Sequence, residues 1–227
     1  MHDFGSNYTG ENLDRVAFPL GGIGAGMFCL EGTGALSHFS LRNAPDVFNE
    51  PLVFSALHIA GGEEQQGVVL EGPVPRWKVF FPWTRSSGDA GLGASDKTYG
   101  LPRFRDAEFV ARFPFGQVRL QDETLPVHVQ ITGWSPFIPT KSDDSSLPVS
   151  ALEYTFANRG SYRLELVYSF HAKNFMALGD GGASVDKLPD GFLLSQTGSV
   201  DQPYREGSFF AVCASSKPAV NPSWFRG

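Results

Sequence analysis

Val127, Val129 and Ile131 alternate with His128, Gln130 and Thr132, so this stretch has one apolar and one polar face. Strict period-two alternation predicts a half-buried strand over 126–133. The pattern returns over 162–171, where Leu164, Leu166, Tyr168 and Phe170 share a face. Continuous apolar runs of strand length lie at 27–30 and 52–60, the second ending at Gly61-Gly62. His58, inside that second run, reads as a hydrogen-bonded core histidine. Further strands are predicted over 66–70, 108–113, 117–120, 147–157, 192–196 and 208–214. Turn residues separate them, as at Pro114-Phe115-Gly116 and Asn158-Arg159-Gly160-Ser161. No stretch carries a convincing amphipathic helix, and no internal repeat is visible. Short strands at this spacing predict an all-β fold, an antiparallel β-sandwich.

The densest run of special residues is 17–45. Apolar Met27 to Leu30 precede Glu31-Gly32-Thr33-Gly34, and Leu36, Phe39 and Leu41 then alternate with Ser37, His38 and Ser40. This predicts a strand, a tight turn and a second strand, a β-hairpin. The preceding Gly21-Gly22-Ile23-Gly24-Ala25-Gly26 imitates a phosphate loop. A dinucleotide fingerprint needs G-x-G-x-x-G between a strand and a helix, but Met27 stands where the last glycine belongs and a strand follows. A tight backbone crossing in a β protein is the better reading.

Composition supports the strand-and-turn reading. The 227 residues include 20 Phe, 26 Gly and 16 Pro, and only 19% are charged. The length suits one domain, placed at 16–227 after a polar, loose arm at 1–15. A net charge of −6 argues against a general nucleic-acid binder and against anchoring on anionic lipid. No run approaches the roughly 20 apolar residues of a membrane span. The first ten residues have no basic region and no apolar core, so no signal peptide is read and a cytoplasmic location is expected. Chance best explains the sequon Asn7-Tyr8-Thr9. Cys29 and Cys213 make neither a disulfide framework nor a zinc site and read as buried thiols.

Candidate chemistry is sparse. His38, His58, His128 and His171 are isolated on predicted strands without ligand spacing, so no metal and no cofactor is expected. No G-x-S-x-G nucleophile motif occurs. A retaining glycosidase needs two carboxyl groups about 5–5.5 Å apart. Asp143-Asp144 and Asp180 and Asp186 all read as solvated turn residues, so no catalytic residue is assigned. Trp77, Trp83, Trp134 and Trp224 are the aromatic candidates for sugar contact, and Trp83, before the polar, Gly-rich loop 86–99, is the best exposed of them. His171-Ala172-Lys173-Asn174 either caps a strand or contacts a partner domain or a sugar.

Several segments resemble the N-terminal part of glycoside hydrolase family 116, which includes the non-lysosomal glucosylceramidases and bacterial β-glucosidases. Pro19-Leu20-Gly21-Gly22-Ile23-Gly24 is similar to the family's opening run. Gly34-x-Leu36 and Asn43-x-Pro45 follow in order. Ser37-His38-Phe39 departs from the Arg-Asp-Trp of many members. Leu125-Pro126-Val127, the corner Ser135-Pro136-Phe137-Ile138-Pro139 and Asp143-Asp144-Ser145-Ser146-Leu147-Pro148-Val149 extend the resemblance over about 16–175. It implies a β-sandwich followed by a separate (α/α)6 catalytic barrel, the partner domain, which carries the glutamate nucleophile and aspartate acid/base. No residue here can inherit either role, and the chain is expected to be the front part of a longer enzyme. Arg42 and Asn43, which end a strand, and His171 and Asn174, at another strand end, are the candidate contacts to that barrel, and a β-glucoside carbohydrate is the further candidate partner. The expected role is non-catalytic: packing against the barrel and shaping its mouth. The alternative is a free-standing carbohydrate-binding or structural interaction module.

Overall fold

The computed structural model describes residues 7–62, 65–79, 97–179, 181–214 and 218–223. The chain divides into two compact units, Met1–His171 and Ala172–Gly227. The span 16–227 expected from the sequence runs across both.

The larger unit begins with β1 (Tyr8–Thr9), β2 (Ala17–Gly21), β3 (Met27–Glu31), β4 (Leu36–Ser40), β5 (Val53–Ala60) and β6 (Gln66–Val69). A single helical turn, α1 (Arg76–Val79), precedes β7 (Asp106–Arg112), β8 (Phe115–Gln121) and β9 (Val127–Trp134). A second turn, α2 (Ser142–Ser145), leads into β10 (Ala151–Asn158) and β11 (Glu165–Ala172). Five of these strands form an antiparallel sheet in the order β1-β7-β8-β9-β10. A second sheet runs β2-β3-β4, and a third places β5 between β11 and β6. The smaller unit holds β12 (Ala183–Lys187), β13 (Gly191–Gln196) and β14 (Gly207–Val212), an antiparallel meander.

The fold is the expected all-β antiparallel sandwich. Val127, Val129 and Ile131 of β9 are buried, while the residues between them are half-exposed, as the alternation predicts. Their apolar face meets the hairpin sheet, where Leu20, Leu30 and Phe39 are buried. The Phe18 ring of β2 lies 6.0 Å from that of Phe109 on β7. On the β5 sheet, Ser55 Oγ donates to the Tyr154 hydroxyl of β10 (2.9 Å) and lies 3.0 Å from the Tyr168 hydroxyl of β11. Each fully buried aliphatic or aromatic side chain contributes about 1.5–3 kcal/mol to such a core.

The predicted hairpin forms as β3 and β4, with Gly34 in the turn at φ +93°. A Cβ there would lie 3.0 Å from the Ile131 side chain, so the turn needs both the left-handed backbone and the missing side chain. The structure also differs from the sequence reading in several places. Residues 17–21 are a strand, β2, paired with β3. Residues 8–15 are not loose: β1 pairs with β7, and the 3-10 turn Gly10–Arg15 buries Leu13. His58 is exposed, because β5 alternates there and turns it away from buried Leu57 and Ile59. The strand expected from 147 starts only at Ala151, beyond Pro148, which has no N–H for a ladder. Fully exposed β12 had no apolar face to announce it. Among the described residues, no helix is long and apolar enough to cross a membrane.

Candidate functional site

Four connections of the larger unit meet around a cavity of about 520 Å³. They are the turn between β2 and β3, the turn after β4, the β7–β8 turn, and the segment following β9. Backbone hydrogen bonds fix this meeting. The Gly21 amide donates to Ser135 Oγ (2.7 Å), and the Ile23 amide donates to the Ser145 carbonyl (3.0 Å). A Cβ at Gly22 would collide with the Ser146 and Leu147 carbonyl oxygens, so glycine lets the two segments touch. After β4, the Ala44 amide donates to the Leu41 carbonyl (3.0 Å). Arg42 and Asn43 between them have φ of 54° and 56°, the pair of left-handed residues that a type I′ turn requires. Asn is among the residues that accept this conformation most readily.

The wall is made largely of Met27, Pro45, Phe113, Pro114 and Phe137, with Asn43 at its polar side. Phe113 and Phe137 meet edge to face, 4.8 Å between centroids. Among the described residues, none that lines it carries a charge. The lining serines are already engaged: Ser40 Oγ donates to the His38 carbonyl (3.2 Å), and Ser145 Oγ donates to the Ile138 carbonyl (3.1 Å). The described wall is thus apolar with a few neutral polar groups, and among the described residues it offers no acid, base or activated nucleophile. Its rim is open to solvent, with Phe113 64% and Ile23 61% exposed.

The residues singled out from the sequence fall in different places. Asn43 lines the cavity, and half-buried Arg42 shares its turn. His171 stacks on Phe54 (centroids 4.6 Å apart, planes at 11°), and its Nε2 lies 2.9 Å from Ser169 Oγ. Burial lowers the His171 pKa. Asn174 belongs to the smaller unit. Its Nδ2 donates to the Ser184 and Ser195 carbonyls (2.9 and 3.2 Å), and its Oδ1 accepts the Met176 amide (3.1 Å). Asn174 thus ties its own loop to β12 and β13. Trp83 lies outside the described residues, as do Trp224, Asp180 and most of the 86–99 loop. Trp77 donates from its indole to the Asp14 carbonyl (3.0 Å), and Trp134 is half-buried beside Phe115. Asp143 and Asp144 are exposed on α2.

A second constellation escaped the sequence reading. Lys78 Nζ donates to Glu31 Oε1 (2.6 Å) and to Glu50 Oε1. Lys97 Nζ donates to the Glu50 carbonyl (2.7 Å), and Tyr99 donates to Glu50 Oε2 (3.3 Å). Nearby, Thr98 Oγ1 (2.8 Å) and Arg103 Nη1 (3.0 Å) both donate to Glu71 Oε2. Burial raises the Glu31 pKa despite the Lys78 ammonium. Burial would raise Glu50 too, but Lys78 and Lys97 outweigh it and hold its carboxyl below the usual range. Burial raises Glu71 even with Arg103 beside it.

Two carboxylates close together suggest a glycosidase pair, but here an ammonium fills the space between them. A retaining mechanism needs that gap free for the sugar. The Glu31–Glu50 pair is therefore a buried ion-pair centre, not an active site. One signal for it stood in the sequence: Glu31 and Glu71 each end an apolar strand run, where a carboxylate must find a partner. Among the described residues, no group of His, Cys, Asp and Glu could hold a metal ion.

Residues 17–221 match the family model described as beta-glucosidase 2, glycosyl-hydrolase family 116 N-term. No curated protein matches the chain.

Proposed function

Because the chain belongs to the N-terminal family of glycosyl-hydrolase family 116, we propose that it is the non-catalytic partner domain of a retaining β-glucosidase or glucosylceramidase-like enzyme. In this reading a downstream (α/α)6 barrel carries the catalytic carboxylates. The larger unit packs its uncharged cavity and aromatic rim against that barrel and shapes the mouth of its active site. Such a division of labour suits a cytoplasmic enzyme of carbohydrate metabolism.

The observation that carries the reading is the cavity itself. Among the described residues its wall has no charge, its serines are engaged, and Phe113 is 64% exposed at the rim. Exposed aromatic surface around an uncharged hollow is what a packing partner covers. Phe113, Phe137 and the Asn43 amide also favour a second reading, a carbohydrate-binding module, since rings beside one polar group suit a sugar.

Calorimetric titration with a separately expressed family 116 barrel tests the first reading, and titration with cellobiose tests the second. We expect the chain to bind the barrel. The double variant F113S/F137S should weaken that binding at least about tenfold, as loss of a central aromatic anchor does. Barrel binding unchanged in that variant overturns the docking assignment. Cellobiose binding that the variant abolishes, with no barrel binding, moves the assignment to the sugar module.

A further inference from the structure

We propose that Glu50 is the pin of a two-ended ionic latch, which makes α1 and the segment 97–103 open and close together. The two pieces are separated in the chain, yet both reach the same carboxylate. From α1, Lys78 Nζ donates to Glu50 Oε1. From the other piece, Lys97 Nζ donates to the Glu50 carbonyl (2.7 Å) and Oε2 (3.4 Å), and Tyr99 donates to Oε2 (3.3 Å).

Each piece also has its own inner anchor. Glu31 of β3 takes Lys78 (2.6 Å), and Glu71, just after β6, takes Thr98 (2.8 Å) and Arg103 (3.0 Å). Arg103 adds bonds to the Gly72 and Thr98 carbonyls. The inner anchors serve one piece each, whereas Glu50 serves both.

The anchors differ in their access to water. The side chains of Lys78, Glu31 and Glu71 are 7%, 8% and 7% exposed, but those of Glu50 and Lys97 are 22% and 27% exposed. Water, ions or a charged partner therefore meet the Glu50–Lys97 pair first. Once Glu50 lets go, Lys78 is left to Glu31 and Lys97 loses its carboxylate, so both pieces loosen in one step. The interaction energies of a shared charge are non-additive, and that is what couples the pieces. The latch gives the β3–β4 side of the sandwich a conformational device independent of the cavity.

Hydrogen exchange on the full chain tests this. In Glu50→Gln, amides of 76–79 and of 97–103 should both exchange about tenfold faster, through local opening. In Glu71→Gln only 97–103 should speed up. Lys97→Met, at the most exposed member, keeps the latch testable if Glu50→Gln fails to fold: it should also speed exchange at 76–79, which Lys97 does not touch directly. Exchange at 76–79 unchanged in Lys97→Met, or faster exchange confined to one piece in Glu50→Gln, overturns the proposal.

Discussion

Lys78 is a residue whose neighbours decide its meaning. Its partners Glu31 and Glu50 lie 47 and 28 positions away, so nothing local in the sequence marks it as buried. Burial would lower its pKa, but the two carboxylates raise it. Removing one partner from a buried pair leaves an uncompensated charge. Glu50→Gln strips Lys97 and half of Lys78, so we expect it to lower stability by roughly 3 kcal/mol in urea denaturation. Glu31→Gln leaves Lys78 on Glu50 and should lower it by less; the reverse order would contradict the contacts given above. The pH dependence follows from the same directions. Glu50 sits below its ordinary 4.5, so its contribution is present above pH 4.5 and is lost as pH falls through its lower folded value. Glu71 is raised above 4.5, so the stability linked to it is full below pH 4.5 and is lost as pH rises through its folded value. Glu71→Gln cannot titrate, and its stability relative to the natural chain should therefore rise with pH from 4.5 towards neutrality. A relative stability that falls over that window would contradict the raised Glu71. Cys29 offers a simpler check. Burial, with Glu31 nearby, pushes its thiol up to about 11. In the native chain at pH 8, a disulfide reagent should label half-buried Cys213 first. A fast phase that disappears in Cys29→Ser would contradict this.

Elements were legible where their periodicity was strict and their partners close in sequence. Strand β9 shows its alternation in three apolar residues, and β3 and β4 show theirs around a glycine turn. Strand β2 was hidden because Pro19 and the glycines after it read as a loop, although its buried Phe18 and Leu20 alternate with exposed neighbours. The pairing of β3 with β4 carries one irregularity, and His38, at φ +55°, sits in the extra step on β4. A bulge of this kind re-aims side chains and has no simple sequence signal when the left-handed residue is not glycine. The cavity shared this fate. Its turns could be read one by one, but their meeting depends on contacts such as Gly21 to Ser135, 114 positions apart. Gly34 tests the hairpin's packing directly. Gly34→Ala should lower stability by about 1–3 kcal/mol, because it combines a strained backbone with crowding against Ile131 and the Leu70 carbonyl. Gly67→Ala, where a Cβ meets nothing within 4 Å, is the control and should stay near the natural stability. Equal losses in both would show that turn strain, not strand packing, was misjudged.

At the scale of the whole molecule, the family and the all-β architecture were readable from ordered motifs, and the match over residues 17–221 supports that reading. The division into Met1–His171 and Ala172–Gly227 was not, because β11 and the loop after it show no change of composition at the boundary. The proposed role predicts an asymmetry between folding and association. Phe113 and Phe137 stand at the cavity rim as an edge-to-face pair, so F113S/F137S should cost the chain's own stability only about 1–2 kcal/mol and leave it folded while weakening its hold on a barrel. A large loss of stability would mean the rings belong to the core instead. The central claim concerns catalysis. Among the described residues, the cavity wall carries no titratable group, and Lys78 occupies the space between Glu31 and Glu50. The most direct measurement is hydrolysis of a chromogenic aryl β-glucoside by the purified chain, after cooperative unfolding has shown it to be folded. The account predicts no turnover above a mock-purified control. Turnover that follows the folded chain would contradict it, since a working carboxylate pair would then lie within these 227 residues.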